Sequence, residues 1–144
     1  MAILAILVAG LFLSRRVSGP EGADRTFDPA EFREAPTVPA ETAHRYVGQR
    51  AVVCGTVARV NFARDIRGQP TFINLGRPHP DQTFDGIVWG RDRDRFQVPP
   101  EQLYAGAAIC ILGEVEEHEG TPQIQIRFPG QVRIMREPNP DGLR

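Results

Sequence analysis

Tyr46-Val47-Gly48-Gln49-Arg50-Ala51-Val52-Val53-Cys54-Gly55-Thr56-Val57 is answered 58 residues later by Tyr104-Ala105-Gly106-Ala107-Ala108-Ile109-Cys110-Ile111-Leu112-Gly113-Glu114-Val115. The tyrosine, both glycines and the closing valine recur at one offset, each copy enclosing an apolar run. An even offset preserves strand phase, so matching side chains of the two copies are expected to face the same core. Short β-patterned segments between glycine and proline punctuation continue to Ile134 and predict a small closed β-barrel rather than an enzyme with a cleft.

Working outward, residues 39–46, with Glu41 in the first turn, predict a short helix leading to the turn at Gly48. Residues 50–60 form the first strand, 64–70 a polar turn, and 71–75 the second strand, ended by Gly76. Pro78 and Pro80 make 77–82 a loop before a third strand over 83–89. Pro99-Pro100-Glu101 opens a short helical connection toward Tyr104. A fourth strand follows over 107–116, a hairpin turn at 117–120, and a fifth strand over 121–128, with 131–135 extending the edge. The expected class is therefore mostly β: a five-stranded closed barrel with a short N-terminal helix and a short helical connection between strands three and four. That order is the order of an oligonucleotide/oligosaccharide-binding (OB) barrel, whose closure removes exposed sheet edges.

The stretches Val53-Cys54-Gly55-Thr56-Val57, Pro70-Thr71-Phe72-Ile73-Asn74-Leu75-Gly76, Ile87-Val88-Trp89-Gly90 and Ile109-Cys110-Ile111-Leu112-Gly113-Glu114-Val115 resemble OB-fold domains of the tRNA-anticodon-binding type. They are similar to small bacterial single-domain nucleic-acid-binding OB modules, over about 60% of the chain. The resemblance implies non-enzymatic binding of nucleic acid, DNA or RNA, on the second and third strands and the loops after the first and fourth. On this chain that surface holds Arg59, Phe62, Arg64, Arg67, Phe72, Asn74 and Trp89. Aromatic rings stack bases and arginines meet phosphates, which suits single strands. Phe72 and Trp89 also fit a second reading, as large core residues of a small barrel.

Charge argues the other way. Net charge is −1, so no global field draws the chain to nucleic acid. Residues 40–137 hold 12 arginines and 12 acidic residues, and Glu114, Glu116, Glu117 and Glu119 surround His118 in the loop opposite the proposed face. Binding is expected to be modest and salt-sensitive. The alternative is an envelope module that binds a protein partner or a small ligand. All 17 basic residues are arginine, which fits either coding bias or a preference for phosphate and stacked bases.

Catalysis and metal binding find little footing. His44, His79 and His118 are scattered, none beside a nucleophile in a recognisable motif. The Asp-Gly-Asp-Thr signature of thermonuclease-type barrels is missing, Asp85-Gly86-Ile87 being the nearest approach. Glu116-Glu117-His118-Glu119 reads as a solvated hairpin tip, and Arg91-Asp92-Arg93-Asp94-Arg95 as a solvated, self-paired connection. No catalytic residue, metal or cofactor is expected. Cys54 and Cys110 lack metal-site spacing and are either neighbouring buried thiols or a cross-strand disulfide.

Residues 2–13 are apolar throughout and precede Arg15 and Arg16. As a helix they rise about 18 Å, short of the roughly 30 Å hydrocarbon core. The run is a signal-like sequence, a marginal anchor, or a spanning helix truncated by a late start. Membrane association is expected, in either orientation, with a secreted or periplasmic protein if the segment is cleaved. The expected organisation is 1–16 anchor or signal, 17–38 flexible linker, 39–137 barrel domain and 138–144 tail, with Phe27 and Phe32 able to dock on the barrel.

Overall fold

The computed structural model of the protein describes residues 28–136. The chain enters through helix α1 (Pro29–Glu34), where Asp28 accepts a hydrogen bond from the Ala30 amide at 2.7 Å and Pro29 supplies a preset first-turn φ. Strand β1 (Thr37–Pro39) runs parallel to the start of β2 (Arg50–Phe62), and a 3₁₀ helix (Ala40–Tyr46) joins them. Strands β3 (Thr71–Leu75) and β4 (Phe84–Val88) follow, then the short helices α2 (Gly90–Arg93) and α3 (Pro100–Leu103). Strands β5 (Ala108–Glu114), β6 (Glu116–His118), β7 (Thr121–Gln125) and β8 (Val132–Arg136) complete the order.

The long β2 joins the two halves of the sheet. Its first half pairs with β1 and antiparallel with β5, Val53 opposite Ile111 and Cys54 opposite Cys110. Beyond a register shift between Val57 and Arg59 its second half pairs antiparallel with β3, which pairs with β4, which pairs parallel with β7. Such a shift bends a strand and carries it from one half of the sheet into the other. Side chains alternate accordingly. Val53, Val57, Ile73, Leu75, Phe84, Val88, Ile109, Ile111, Val115, Ile124 and Ile126 point into one core and are fully or almost fully buried.

The 58-residue echo is visible in three dimensions. Each copy is a helical turn reaching a tyrosine, a glycine at positive φ (Gly48 at 84°, Gly106 at 72°), then a strand. Ala51 and Ile109, Val53 and Ile111, and Val57 and Val115 all enter the same core, as equal phase requires.

The closed five-stranded barrel expected from the sequence is not completed by hydrogen bonds. Closure would require β5 to pair with β7, but β8 occupies the free edge of β5, with Ile109 opposite Ile134 and Ile111 opposite Val132. The eight strands among the described residues therefore form one open sheet. Across the gap lies the buried Gln131. Its Nε2 donates to the carbonyl of Leu112 in β5 at 3.0 Å and to that of Gln125 in β7 at 3.1 Å. Its Oε1 accepts from the amides of Arg127 at 2.8 Å and Phe128 at 3.1 Å. One side chain thus satisfies four backbone groups that a strand pair would have satisfied. Gly113 lets the two sides approach, since a Cβ there would fall 2.5 Å from Ile124 Cγ2.

The flexible linker expected over 17–38 is corrected where the structure describes it. Residues 28–38 are folded onto the domain because they carry apolar groups with a place to go. Phe32 packs with Val52, Cys110 and Leu112 in a second small cluster, Arg133 lies 3.8 Å over the Phe32 ring, and Glu31 meets Arg50 at 2.7 Å. Cys54 and Cys110 form a disulfide beside this cluster, with Cα atoms 4.1 Å apart. The proposed anchor at 1–16, Phe27 with the rest of 17–27, and the tail at 138–144 lie outside the described residues. No helix among the described residues is long and apolar enough to cross a membrane.

Candidate functional site

Strand alternation puts one row of side chains on the outer face of β2, β3, β4 and β7. Along it Arg59 lies opposite Asn74, Asn61 opposite Phe72, Phe72 opposite Ile87, and Asn74 opposite Asp85. Asp85 then faces Gln123, and Ile87 faces Gln125. Arg59 and Asn61 are exposed and Phe72 is half-buried. The β2–β3 half of this face is thus basic and aromatic, while the β4–β7 half is lined by amides and carboxyls. At its far edge Gln125 Nε2 donates to Glu116 at 3.0 Å, and Glu117 and Glu119 project into solvent.

The loop at 63–70 caps the basic half. The Ala63 amide closes it on the Pro70 carbonyl at 2.9 Å, leaving Arg64 and Arg67 exposed. Gly68 rests against Trp89, where a Cβ would come within 3.0 Å of the indole, and the Gly90 amide donates to the Gly68 carbonyl at 2.9 Å. Trp89 therefore supports the loop from beneath and is itself only half-buried.

Phe62, at the end of β2, has two guanidinium groups over its ring, Arg93 at 3.7 Å and Arg64 at 5.3 Å from the centroid. Arg93 also donates to the buried Thr71 hydroxyl and grips Glu101 through both Nη atoms, at 2.9 and 3.1 Å. The hydrogen bond from Arg93 holds the Glu101 carboxyl below its ordinary range, against the opposing effect of partial burial, and the charge of Arg64 adds to the lowering.

Of the residues expected from the sequence, Arg59 and Phe72 share the outer face of β2 and β3, and Arg64 and Arg67 are exposed on the loop that follows β2, with Trp89 against Gly68 of that loop. Phe62, opposite the buried Thr71, turns to the other face of the sheet. Asn74 is a correction. It is buried, and its Nδ2 donates to Asp85 Oδ1 at 2.7 Å while Gln82 Nε2 donates to Asp85 Oδ2 at 2.9 Å. A buried carboxylate needs such donors, so Asn74 serves Asp85 and not a ligand. Phe62 closes strand β2 and is half-buried, with two arginines over its ring. Sequence reasoning missed Arg93 and Glu101. The alternating signs of residues 91–95 suggested pairing within the run, which holds for Asp92 with Arg95 at 2.9 Å but not for Arg93. Among the described residues no group of His, Cys, Asp and Glu side chains is arranged to hold a metal.

The chain is similar in structure to an OBody bound to hen egg-white lysozyme, at 20% identity and a TM-score of 0.51, over 71% of this chain and 93% of that one. Weaker likenesses reach the asparaginyl-tRNA synthetases of Entamoeba histolytica (15% identity, TM-score 0.46, 73% of this chain and 25% of that one) and Pyrococcus horikoshii (12%, 0.45, 69% and 23%). This chain spans a quarter or less of either synthetase. The OBody likeness establishes an OB-like fold, and the weaker ones add nothing to it. No family model matches the chain, and no curated protein matches it.

Proposed function

We propose that the protein is a non-enzymatic binder of single-stranded nucleic acid, using the β2–β3 face and the 63–70 loop. The observation that carries this reading is the exposed Arg59 and half-buried Phe72 on one face of β2 and β3, next to a loop that exposes Arg64 and Arg67. Phe72 offers a ring for stacking, Arg59 and Arg67 meet phosphates, and Arg64 does either from its seat on Phe62. Trp89 acts as the floor of the loop. The glutamates of β6 and its turn bound the site on the β7 side by repelling phosphate. The apolar run at 2–13 supports a further proposal, that the domain is held near a membrane.

Fluorescence anisotropy of a labelled single-stranded oligonucleotide with the full chain, across a salt series, tests the reading. Affinity of about micromolar order that falls steeply with salt supports it. No binding at the lowest salt removes it.

A second reading, a module for a protein partner, is favoured by the balance of 12 arginines against 12 acidic residues over 40–137. Stoichiometric recovery of one protein from membranes, unchanged by nuclease treatment, selects that reading over the first.

A further inference from the structure

Arg95 stands apart from the face described above. Its Nη1 donates to Asp92 Oδ1 at 2.9 Å and to the Arg127 carbonyl at 3.0 Å, and its guanidinium lies 4.5 Å over the centroid of the Phe128 ring. These contacts fix the plane of the group, and both hydrogen bonds use Nη1. The side-on fork formed by Nε–H and Nη2–H has no acceptor among the described residues.

That arginine borders two adjoining cavities. One, of about 470 Å³, is walled by Arg91, Asp92, Arg127 and Phe128. The other, of about 500 Å³, is lined by Phe96, Val98, Leu103, Phe128 and Pro129. The first holds three cations (Arg91, Arg95, Arg127) and one carboxylate, the buried Asp92, so its local charge is +2, from three minus one. In a domain with balanced charges this is a local excess of positive charge.

We propose that these cavities form a binding site for a phosphate monoester with an apolar or aromatic body. A preorganised guanidinium fork matches two oxygens of one phosphate. The ester carries a charge of about −1.5 to −2 at neutral pH, which the excess of +2 balances and a carboxylate does not. Phe96, Val98, Leu103 and Pro129 receive the organic part. The cavities share no lining residue with the nucleic-acid face, and Arg93, two residues from Arg95, is committed to Phe62, Thr71 and Glu101.

The probe is phenyl phosphate, titrated into the full chain while backbone amide shifts are followed by NMR. Shifts concentrated at 91–97 and 127–131, with a Kd of about 1 mM or tighter, are expected. Inorganic phosphate, lacking the ring, and benzoate, lacking the second charge, each bind roughly tenfold more weakly. Arg95→Lys keeps the charge but loses the fork, and weakens phenyl phosphate about tenfold. Should that variant fail to fold, Arg91→Gln with Arg127→Gln alters two exposed side chains and gives a comparable loss. Arg64→Gln with Arg67→Gln leaves phenyl phosphate binding unchanged, which separates this site from the nucleic-acid one. Competition by vesicles containing phosphatidic acid, but not by phosphatidylcholine alone, identifies a lipid headgroup as the source; no competition by either identifies a soluble ester. Absence of shifts at those residues, benzoate binding as tightly as phenyl phosphate, or an unchanged Arg95→Lys affinity overturns the proposal.

Discussion

The guanidinium of Arg93 lies 3.7 Å from the centre of the Phe62 ring, joining α2 to the end of β2. The same arginine binds Glu101 of α3 in a bidentate pair, so both short helices meet the end of β2 on one side chain. Arg93 is only 15% exposed, which places the pair out of reach of full solvent screening.

Replacement Arg93→Met keeps the stem and removes the fork. It is expected to destabilise the fold by about 1–3 kcal/mol, read from the midpoint of urea unfolding, because Thr71 and Glu101 lose their donor together. Adding Glu101→Gln to that variant recovers part of the loss, since no uncompensated carboxylate remains.

Glu101 gives the fold an acid-sensitive component. Its folded pKa is depressed by the Arg93 hydrogen bond, so the unfolded state binds its proton first as pH falls. The stabilisation is fully present above the ordinary carboxylate value and is lost as pH drops through the lower folded one. Unfolding midpoints measured down through the carboxylate range are expected to fall less steeply in Glu101→Gln than in the parent.

Tyr104 acts at the other end of the scale. Burial pushes its phenol up to about 12, and its ring meets Phe96 edge-on with centroids 6.4 Å apart. Here the unfolded state releases its proton first, so stability declines as pH rises from the ordinary phenol value toward the folded one. Ultraviolet titration of Tyr104→Phe against the parent is expected to remove the phenolate that appears latest.

Gln131 is the least replaceable side chain of the open seam. Gln131→Met has similar length but leaves two carbonyls and two amides unsatisfied, for an expected cost of about 2–4 kcal/mol. Hydrogen exchange at the Arg127 and Phe128 amides should accelerate in a destabilised but folded variant. Unchanged protection there means the seam is held by packing alone.

On the proposed nucleic-acid face, Arg59, Arg64 and Arg67 make about three phosphate contacts, which for a single strand gives a log–log salt slope near −2. Arg64→Ala with Arg67→Ala should reduce it to about −0.7 and weaken binding at low salt. An unchanged slope in a well-folded double variant removes the two arginines from the site.

Much of the fold was legible because it is local. The alternation at Thr71–Leu75 and the repeated tyrosine–glycine–strand unit need only their own residues to be recognised. The exposed arginines of the 63–70 loop were legible for the same reason. What escaped depends on partners far along the chain. The commitment of Asn74 to Asp85 and the escape of Arg93 from its own charged run are set by which strands and helices become neighbours. The open seam goes with β8 lying on the edge of β5, a pairing that no single segment records.

Cys54 and Cys110, 56 apart in sequence, turn the intervening chain into a covalent ring. Every residue assigned to the nucleic-acid face, from Arg59 to Trp89, rides on that ring, as do Arg93 and Glu101. A protease that cuts once in the exposed 63–70 loop therefore leaves a nick rather than two fragments. The nicked protein would run as one species without reductant and as two with it, and its severed loop would stay anchored on both sides. A cut in that exposed loop leaves the two fragments joined through the disulfide.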